Sequence, residues 1–362
     1  MKESPSIYEQ KNILFLISSI GGGGAERVAC RLVSEFSKRH NVYLMYFDKK
    51  EKEYQVDQKV ILIPFFNHNK QKSPTNNLNK IPQKVVRIRE IEKIRKRYKI
   101  DVTISFLYWP NIYNITAGGG SIKILSERND PEGKGEDYFN NMILAYQKSD
   151  KVVFQTKYVM NKFPENIKKK SIIIPNPICI SCLSDISLTE KKIVSVGRLV
   201  PQKNQALLIK AFANFKRSHR EYHLYIYGIG PLLDELKLLS QNYNLEEFIH
   251  FEGFEENIHE KIKNAEQFIL SSDFEGMPNS LMEAMMMGLP CISTKCSGVG
   301  EIINDGINGL LVPIGDSSAL SRKMCLLSDD KKLQKKLRRG ARIRSEEWKT
   351  ERIAKKWEAL FI

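Results

Sequence analysis

The sequence holds no apolar run of the roughly 20 residues that a membrane-spanning helix needs, and its opening, "MKESPSIYEQKN", lacks the apolar centre of a secretory leader. A cytoplasmic protein is expected. Cysteine is sparse: Cys30, Cys179, Cys182, Cys291, Cys296 and Cys325 lie mostly inside apolar stretches. That usage fits reduced, packed thiols and not a disulfide framework. Cys179 and Cys182 form one CxxC, with no second pair and no nearby histidines, which is thin evidence for zinc. The phosphate motif GxxxxGK[ST] is missing, and so is GxGxxG followed by a well-placed acid, which argues against a P-loop and against NAD. Acidic residues are outnumbered, 42 against 57 Lys and Arg, for a formal net charge of +15. The surplus favours anionic partners: nucleic acid, an acidic membrane surface or a phosphorylated substrate. Aromatic residues are nearly absent from the two basic runs, where only Tyr98 occurs. A nucleic-acid interface, which needs stacking side chains or a recognisable module, is therefore disfavoured.

What is present is enough for two domains. At 362 residues, 42% of them hydrophobic and 27% charged, the chain exceeds a single ordinary core. "NILFLISSI", the four glycines "GGGG", a helical stretch "AERVACRLVSEFSKRH" and "NVYLMYF" read as strand, turn, helix and strand. "VTISFLY", "IKILSE" and "KVVFQT" extend the sheet. After the Pro-containing connector "IIIPNPICISCLSDISLTEK" the scheme restarts at "KIVSVGRLVPQKNQALLIKAFANF". It recurs at "YHLYIYGIGPLLDELKLLS" and at "QFILSSDFEGMPNSLMEAMMMGLPCIST", whose helix should stop at Gly288 before Pro290. The expected fold class is α/β, with two Rossmann-like domains facing across a cleft. The boundaries expected are 1–176, with 346–362 packing back on it, and 177–345. Trp348, Ile353, Trp357 and Leu360, at roughly helical spacing, mark that last stretch for docking.

Three stretches carry chemistry. In "EGMPNSLMEAM", Pro278 suits an early helical position, so Glu275 falls in the loop before the helix and Glu283 more than a turn inside it. Carboxylates accept hydrogen bonds from hydroxyl pairs, as in sugars, while the helix's free N–H groups meet an anion. Two unrelated surface acids would show the same spacing. In "VGRLVPQKN", Gly197 permits close backbone approach, and Arg198 and Lys203 bring two cations to one turn, a setting for a diphosphate or simply two solvated cations. In "GGGGAERV", Gly23 and Gly24 open a helix in the manner of a phosphate cradle.

With "GVGEIINDGINGLLVP", these stretches resemble the family-4 retaining glycosyltransferases of the GT-B fold, in particular those of bacterial lipid-linked glycan and polysaccharide assembly, from about Ile13 to the C-terminus. The resemblance implies transfer of a hexose or N-acetylhexosamine from a nucleotide sugar, UDP-linked by preference, with no cofactor and no metal. The sequence has no evident DxD before a strand end. By the same resemblance Glu275 holds the donor sugar's hydroxyls, assisted by the backbone at Met277 and Asn279, and Glu283 holds the ribose diol. Arg198 and Lys203 neutralise the departing diphosphate, Gly24 approaches it from the other domain, and Gly228 in "YGIGP" walls the nucleotide. Arg128, in "SERNDP", stands where many members carry a histidine. An arginine there meets a phosphate or the acceptor but is no base near neutral pH.

The acceptor side is marked by "IPQKVVRIREIEKIRKRYKI". Ile81, Val85, Ile88, Ile91, Ile94 and Tyr98 share one helical face. Lys84, Arg87, Arg89, Lys93, Arg95, Lys96, Arg97 and Lys99 take the rest. Such a helix offers cations to anionic lipid, with Lys84, Arg87, Lys93 and Arg97 as candidates, or is just a solvated face. "KKLQKKLRRGARIR" reads as solvated. The resemblance implies a polyprenyl-diphosphate glycan acceptor at the cytoplasmic face of the inner membrane. The rival readings are a GT-B sugar-nucleotide epimerase, an inactive nucleotide-sugar-binding subunit and, more distantly, a nucleic-acid-binding protein.

Overall fold

Apolar runs become parallel strands in both halves of the chain. The computed structural model describes residues 9–50, 54–66, 82–128, 135–183 and 190–362. Ile81, residues 129–131 of "SERNDP", residues 1–8 of the opening and residues 184–189 of the connector lie outside them. The chain divides into two units, Met1–Pro177 with Thr350–Ile362, and Ile178–Lys349.

Among the described residues the first unit has seven strands: β1 (Asn12–Ile17), β2 (Asn41–Tyr46), β3 (Ile61–Pro64), β4 (Val102–Phe106), β5 (Ile122–Ser126), β6 (Lys151–Phe154) and β7 (Ser171–Ile173). Their order is β3-β2-β1-β4-β5-β6-β7, all parallel. β1 lies inside the sheet, between β2 and β4, with Ile13 through Ile17 all buried, because helices cover both faces of such a sheet. The main helices are α1 (Gly24–Phe36), α2 (Gln83–Arg97), α3 (Tyr108–Thr116) and α4 (Glu136–Gln147). α1 buries Val28, Ala29, Leu32, Val33 and Phe36, one face at helical spacing.

The helix Thr350–Glu358 joins this unit. Ile353, Trp357, Leu360 and Phe361 enter the core of Phe15, Phe36 and Phe106, with the Phe36 and Phe361 rings 5.6 Å apart, edge to face. Trp348 does not share that face, contrary to the sequence expectation. It closes a short 3-10 turn, Glu346–Trp348, and is buried in the second unit beside Ile178 and Met282. Lys349, extended at φ −54° and ψ 133°, breaks what the periodicity presents as one helix.

The second unit repeats the winding. Its strands are β8 (Glu190–Val196), β9 (His223–Tyr227), β10 (Ile249–Gly253), β11 (Ala265–Leu270), β12 (Cys291–Thr294) and β13 (Leu310–Val312), in the order β10-β9-β8-β11-β12-β13. All its pairings are parallel. The two Rossmann-like halves expected from the sequence are thus observed. The run 331–345 is a helix, Lys331–Ser345, but is not simply solvated: Arg338 is 2% exposed and donates Nη1–H to the Gly288 carbonyl at 3.2 Å. Arg342 Nη2 lies 3.4 Å from the Met287 carbonyl. These arginines satisfy carbonyls that the end of the helix Asn279–Met287 leaves without intrahelical partners. That helix stops at Gly288 (φ +86°), as its sequence predicts.

Candidate functional site

In doubly wound sheets ligands bind beyond the carboxyl ends of the strands, where the strand order reverses. The second unit has that reversal between β8 and β11, and the loops leaving these two strands are "GRLVPQKN" and "SSDFEGMP". They are laced together. Asp273 N–H donates to the Gln202 carbonyl at 3.0 Å, Gln202 Nε2 to the Phe274 carbonyl at 2.9 Å, and Asn204 Nδ2 to Asp273 Oδ1 at 2.8 Å. The Ser271 hydroxyl donates to the Lys203 carbonyl at 2.9 Å. Asn204, left-handed at φ +44°, also caps the helix Gln205–Lys216 by accepting from Leu207 N–H.

That lacing delivers Lys203 to Glu275. Lys203 Nζ lies 2.5 Å from Glu275 Oε1, and the Ser272 hydroxyl donates to the same oxygen at 2.6 Å. The side chains are 16% and 7% exposed. Ser297 Oγ donates to the Glu275 carbonyl at 2.8 Å and pins the backbone. Among the described residues Oε2 has no hydrogen-bond partner, so one oxygen is committed and the other is available to a hydroxyl donor. The resemblance gives Lys203 to the diphosphate; the structure pairs it with the acid that the same resemblance gives to the sugar. Arg198 is exposed on the same loop, and its carbonyl accepts from Gln205 Nε2 at 2.9 Å. Burial pushes the Cys296 thiol, beside Glu275, up to about 12, which leaves it protonated and unreactive.

Glycines bring the surrounding loops to backbone contact. A Cβ on Gly228 (φ +142°) would stand 1.9 Å from the Gly197 carbonyl oxygen, and one on Gly298 1.9 Å from that of Gly276. Gly197 N–H donates to the Tyr227 carbonyl at 2.9 Å and Gly228 N–H to that of Gly253 at 2.7 Å. Met277 and Asn279 flank the helix start, with Pro278 one position earlier than expected, as the cap. Glu283 is 4% exposed in the second turn. His259, whose Nε2 lies 3.6 Å from Glu283 Oε2, was not among the expected site residues; a lone histidine between Ile258 and Glu260 carries no pattern to find it by.

In the first unit the reversal falls between β1 and β4. Gly23 caps α1, Gly24 begins it, and the Glu26 carboxylate folds over Gly23 so closely that a Cβ there would meet it at 2.1 Å. Arg128, after β5, is 6% exposed. Its guanidinium lies 4.1 Å from the Phe106 ring centroid and 5.5 Å from that of Trp357, and Nη1 donates to Asn176 Oδ1 at 2.9 Å. Burial pulls its pKa down to about 9, with Glu127 opposing, so it stays charged near neutral pH. The structure therefore holds Arg128 inside the unit, packed and not presented to solvent.

On α2, Lys84, Lys93 and Arg97 are exposed. Arg87 is tied to the Tyr113 hydroxyl at 3.1 Å and lies over the Phe47 ring. Arg95 corrects the expectation of an all-solvent cationic face: it is 3% exposed and donates to the carbonyls of Ala117, Gly118 and Asn114 and to Asn114 Oδ1. Among the described residues no helix is long and apolar enough to cross a membrane, and no three His, Cys, Asp or Glu side chains converge to hold a metal.

Comparison with known proteins bears on these sites. The model of "Glycosyl transferases group 1" matches residues 184–344, and that of "Glycosyltransferase Family 4" matches residues 22–181. A Campylobacter jejuni N-acetylgalactosamine-N,N'-diacetylbacillosaminyl-diphospho-undecaprenol 4-alpha-N-acetylgalactosaminyltransferase is 30% identical over 359 residues, covering 94% of this chain and 96% of the relative. A second Campylobacter jejuni enzyme, an alpha-1,4-N-acetyl-D-galactosaminyltransferase acting on a diNAcBac-PP-undecaprenol glycan, is 28% identical over 95% of this chain and 96% of its own. Among solved structures, Anabaena HepE in complex with UDP superposes with a TM-score of 0.82 at 17% identity, over 96% of this chain and 98% of that one. Staphylococcus aureus TarM also gives 0.82, at 16% identity, over 98% and 99%.

Proposed function

The chain belongs to the family-4 glycosyltransferases and has their GT-B fold, and from that premise we propose that it moves a hexose or N-acetylhexosamine from a UDP-linked donor to a polyprenyl-diphosphate-linked glycan, with retention and without a metal. The observation that carries this reading is the Lys203–Glu275 pair at the reversal of the second sheet. A carboxylate with one oxygen held and the other unpartnered is built to orient a hydroxyl-bearing ring. Lys203 makes the buried charge tolerable and adds positive potential where a diphosphate would lie.

Cleavage of the anomeric C–O bond leaves negative charge on the departing UDP. Arg198 and the first N–H groups of the helix Asn279–Met287 are the groups proposed to receive it. The acceptor hydroxyl attacks on the leaving group's side and passes its proton to the departing phosphate. Gly228 and Gly197 allow backbone to lie against the nucleotide, and Glu283 takes the ribose diol. Two features support the acceptor: the undecaprenyl-diphosphate substrates named for both Campylobacter relatives, and the exposed Lys84, Lys93 and Arg97 of α2, suited to anionic lipid.

The test is nucleotide release from a panel of UDP- and GDP-sugars, with and without a bacterial membrane lipid extract. Release that requires one UDP-sugar and the extract supports the proposal. Turnover of the donor alone replaces it with an epimerase or hydrolase. Saturable UDP binding with no turnover on any donor replaces it with a binding subunit.

A further inference from the structure

His259 follows β10, in the first turn of the short helix Ile258–Ile262, at the same carboxyl edge of the second sheet. Its Nδ1 accepts a hydrogen bond from the Ser181 backbone N–H at 3.2 Å. A ring nitrogen that accepts carries no proton, so in the neutral imidazole the proton sits on Nε2. Nε2 is buried and makes no hydrogen bond, yet it lies 3.6 Å from Glu283 Oε2. That distance exceeds hydrogen-bond length. The donor is aimed at the carboxylate without having closed on it.

We infer that His259 is a positioning residue for Glu283, closing on Oε2 when the carboxylate takes up two neighbouring hydroxyls. This rests on the reading in which Glu283 meets the ribose diol of a nucleoside diphosphate. A glutamate projecting from a helix turns about three side-chain bonds, and a carboxylate that must face two hydroxyls needs its plane set. An N–H delivered from another element sets it, just as an outer partner orients the ligand of a metal. Ser181 in turn fixes the ring's tautomer and direction. The imidazole itself meets no substrate atom in this arrangement.

The two nitrogens can be separated by substitution. In His259→Asn the amide oxygen occupies the place of Nδ1 and still accepts from Ser181, but no donor reaches the place of Nε2. In His259→Gln the longer amide returns an N–H there. Binding of UDP, GDP and ADP, each against its 2′,3′-dideoxy analogue, is measured by calorimetry on the full chain, beside thermal melting. The wild type is expected to prefer the diol by about 10- to 100-fold, the range for hydrogen bonds to a charged acceptor. His259→Asn should shrink that preference severalfold with the melting temperature unchanged, and His259→Gln should restore it.

Full diol preference in His259→Asn, together with its loss in Glu283→Gln, overturns the role of His259 alone. Full preference in Glu283→Gln overturns the ribose reading beneath it. A wild type that binds none of the three nucleotides overturns both.

Discussion

Lys203 and Glu275 stand 72 positions apart in the chain and 2.5 Å apart in the fold. Removing one member of so buried a pair leaves the other uncompensated. Lys203→Met should therefore cost about 3 to 5 kcal/mol in denaturant unfolding, and adding Glu275→Gln should recover most of it. A double variant no more stable than the single would mean that the pair adds nothing to the fold. Glu275→Gln by itself keeps the shape and the Ser272 contact. Its expected signature is a fall in kcat of about 100- to 1,000-fold, the size of losing one aligned polar group, with UDP affinity little changed. Arg198→Ala should act in the opposite sense, weakening UDP about tenfold or more and leaving uridine unaffected, as calorimetry would read. The residue types at these positions were legible in "EGMPNSLMEAM" and "GRLVPQKN". Their pairing was not, because no local rule says which cation a loop acid will meet.

Elements were legible where they are long or central. The strands that periodicity did not reveal are β3, β7, β10 and β13, and every one is an edge strand. Edge strands of three to five residues carry too few turns of pattern, and β3 is largely exposed. The loops between strands depend on glycine at a few contacts. Gly228→Ala drives a Cβ into the Gly197 carbonyl from a conformation that side chains avoid, so a loss of at least about 2 kcal/mol and of nucleotide binding is expected in melting and binding assays. The C-terminal helix is clamped by Glu358, whose Oε1 accepts from Arg39 at 2.9 and 2.8 Å, with His40 Nε2 at 3.3 Å. Burial raises this carboxyl's pKa, but His40 and Arg39 outweigh it and hold it below its ordinary value. A folded pKa below the unfolded one means that the native state binds fewer protons there. The clamp's contribution is therefore complete above roughly pH 4.3 and fades as pH falls through the lower, folded value. Amide exchange at Trp357, taken relative to its intrinsic rate at each pH, should accelerate over that acid range in the wild type. In Glu358→Gln it should already be fast at neutral pH and lose this step.

Charge acts at the scale of the whole molecule. The surplus of +15 attracts anionic surfaces at long range, and α2 concentrates part of it. Only its exposed members should matter to a bilayer. Replacing Lys84, Lys93 and Arg97 by Ala should weaken sedimentation with phosphatidylserine vesicles by about 100-fold, at about 1 kcal/mol for each charge. Raised salt should abolish the difference. Arg95→Ala should destabilise the first unit instead, since its guanidinium serves four carbonyl oxygens within it. Equal vesicle binding by the triple variant and the wild type would remove α2 from any membrane role.

The sequence by itself determined the two Rossmann-like halves, the helix stop at Gly288 and the residue types at the carboxyl edges of the sheets. Each of these is written in neighbours a few positions apart, as apolar runs, glycines and caps. Only the tertiary structure decided which charges are buried. Arg95 and Arg338 stand in basic stretches and read as surface cations, and Arg128 reads as a group that meets a phosphate or the acceptor, yet carbonyl oxygens, an amide side chain and aromatic rings from distant segments enclose them. The same holds for Lys203 on Glu275 and His259 near Glu283. Burial of a charge depends on partners that the fold brings from tens of residues away, and local sequence carries no record of them.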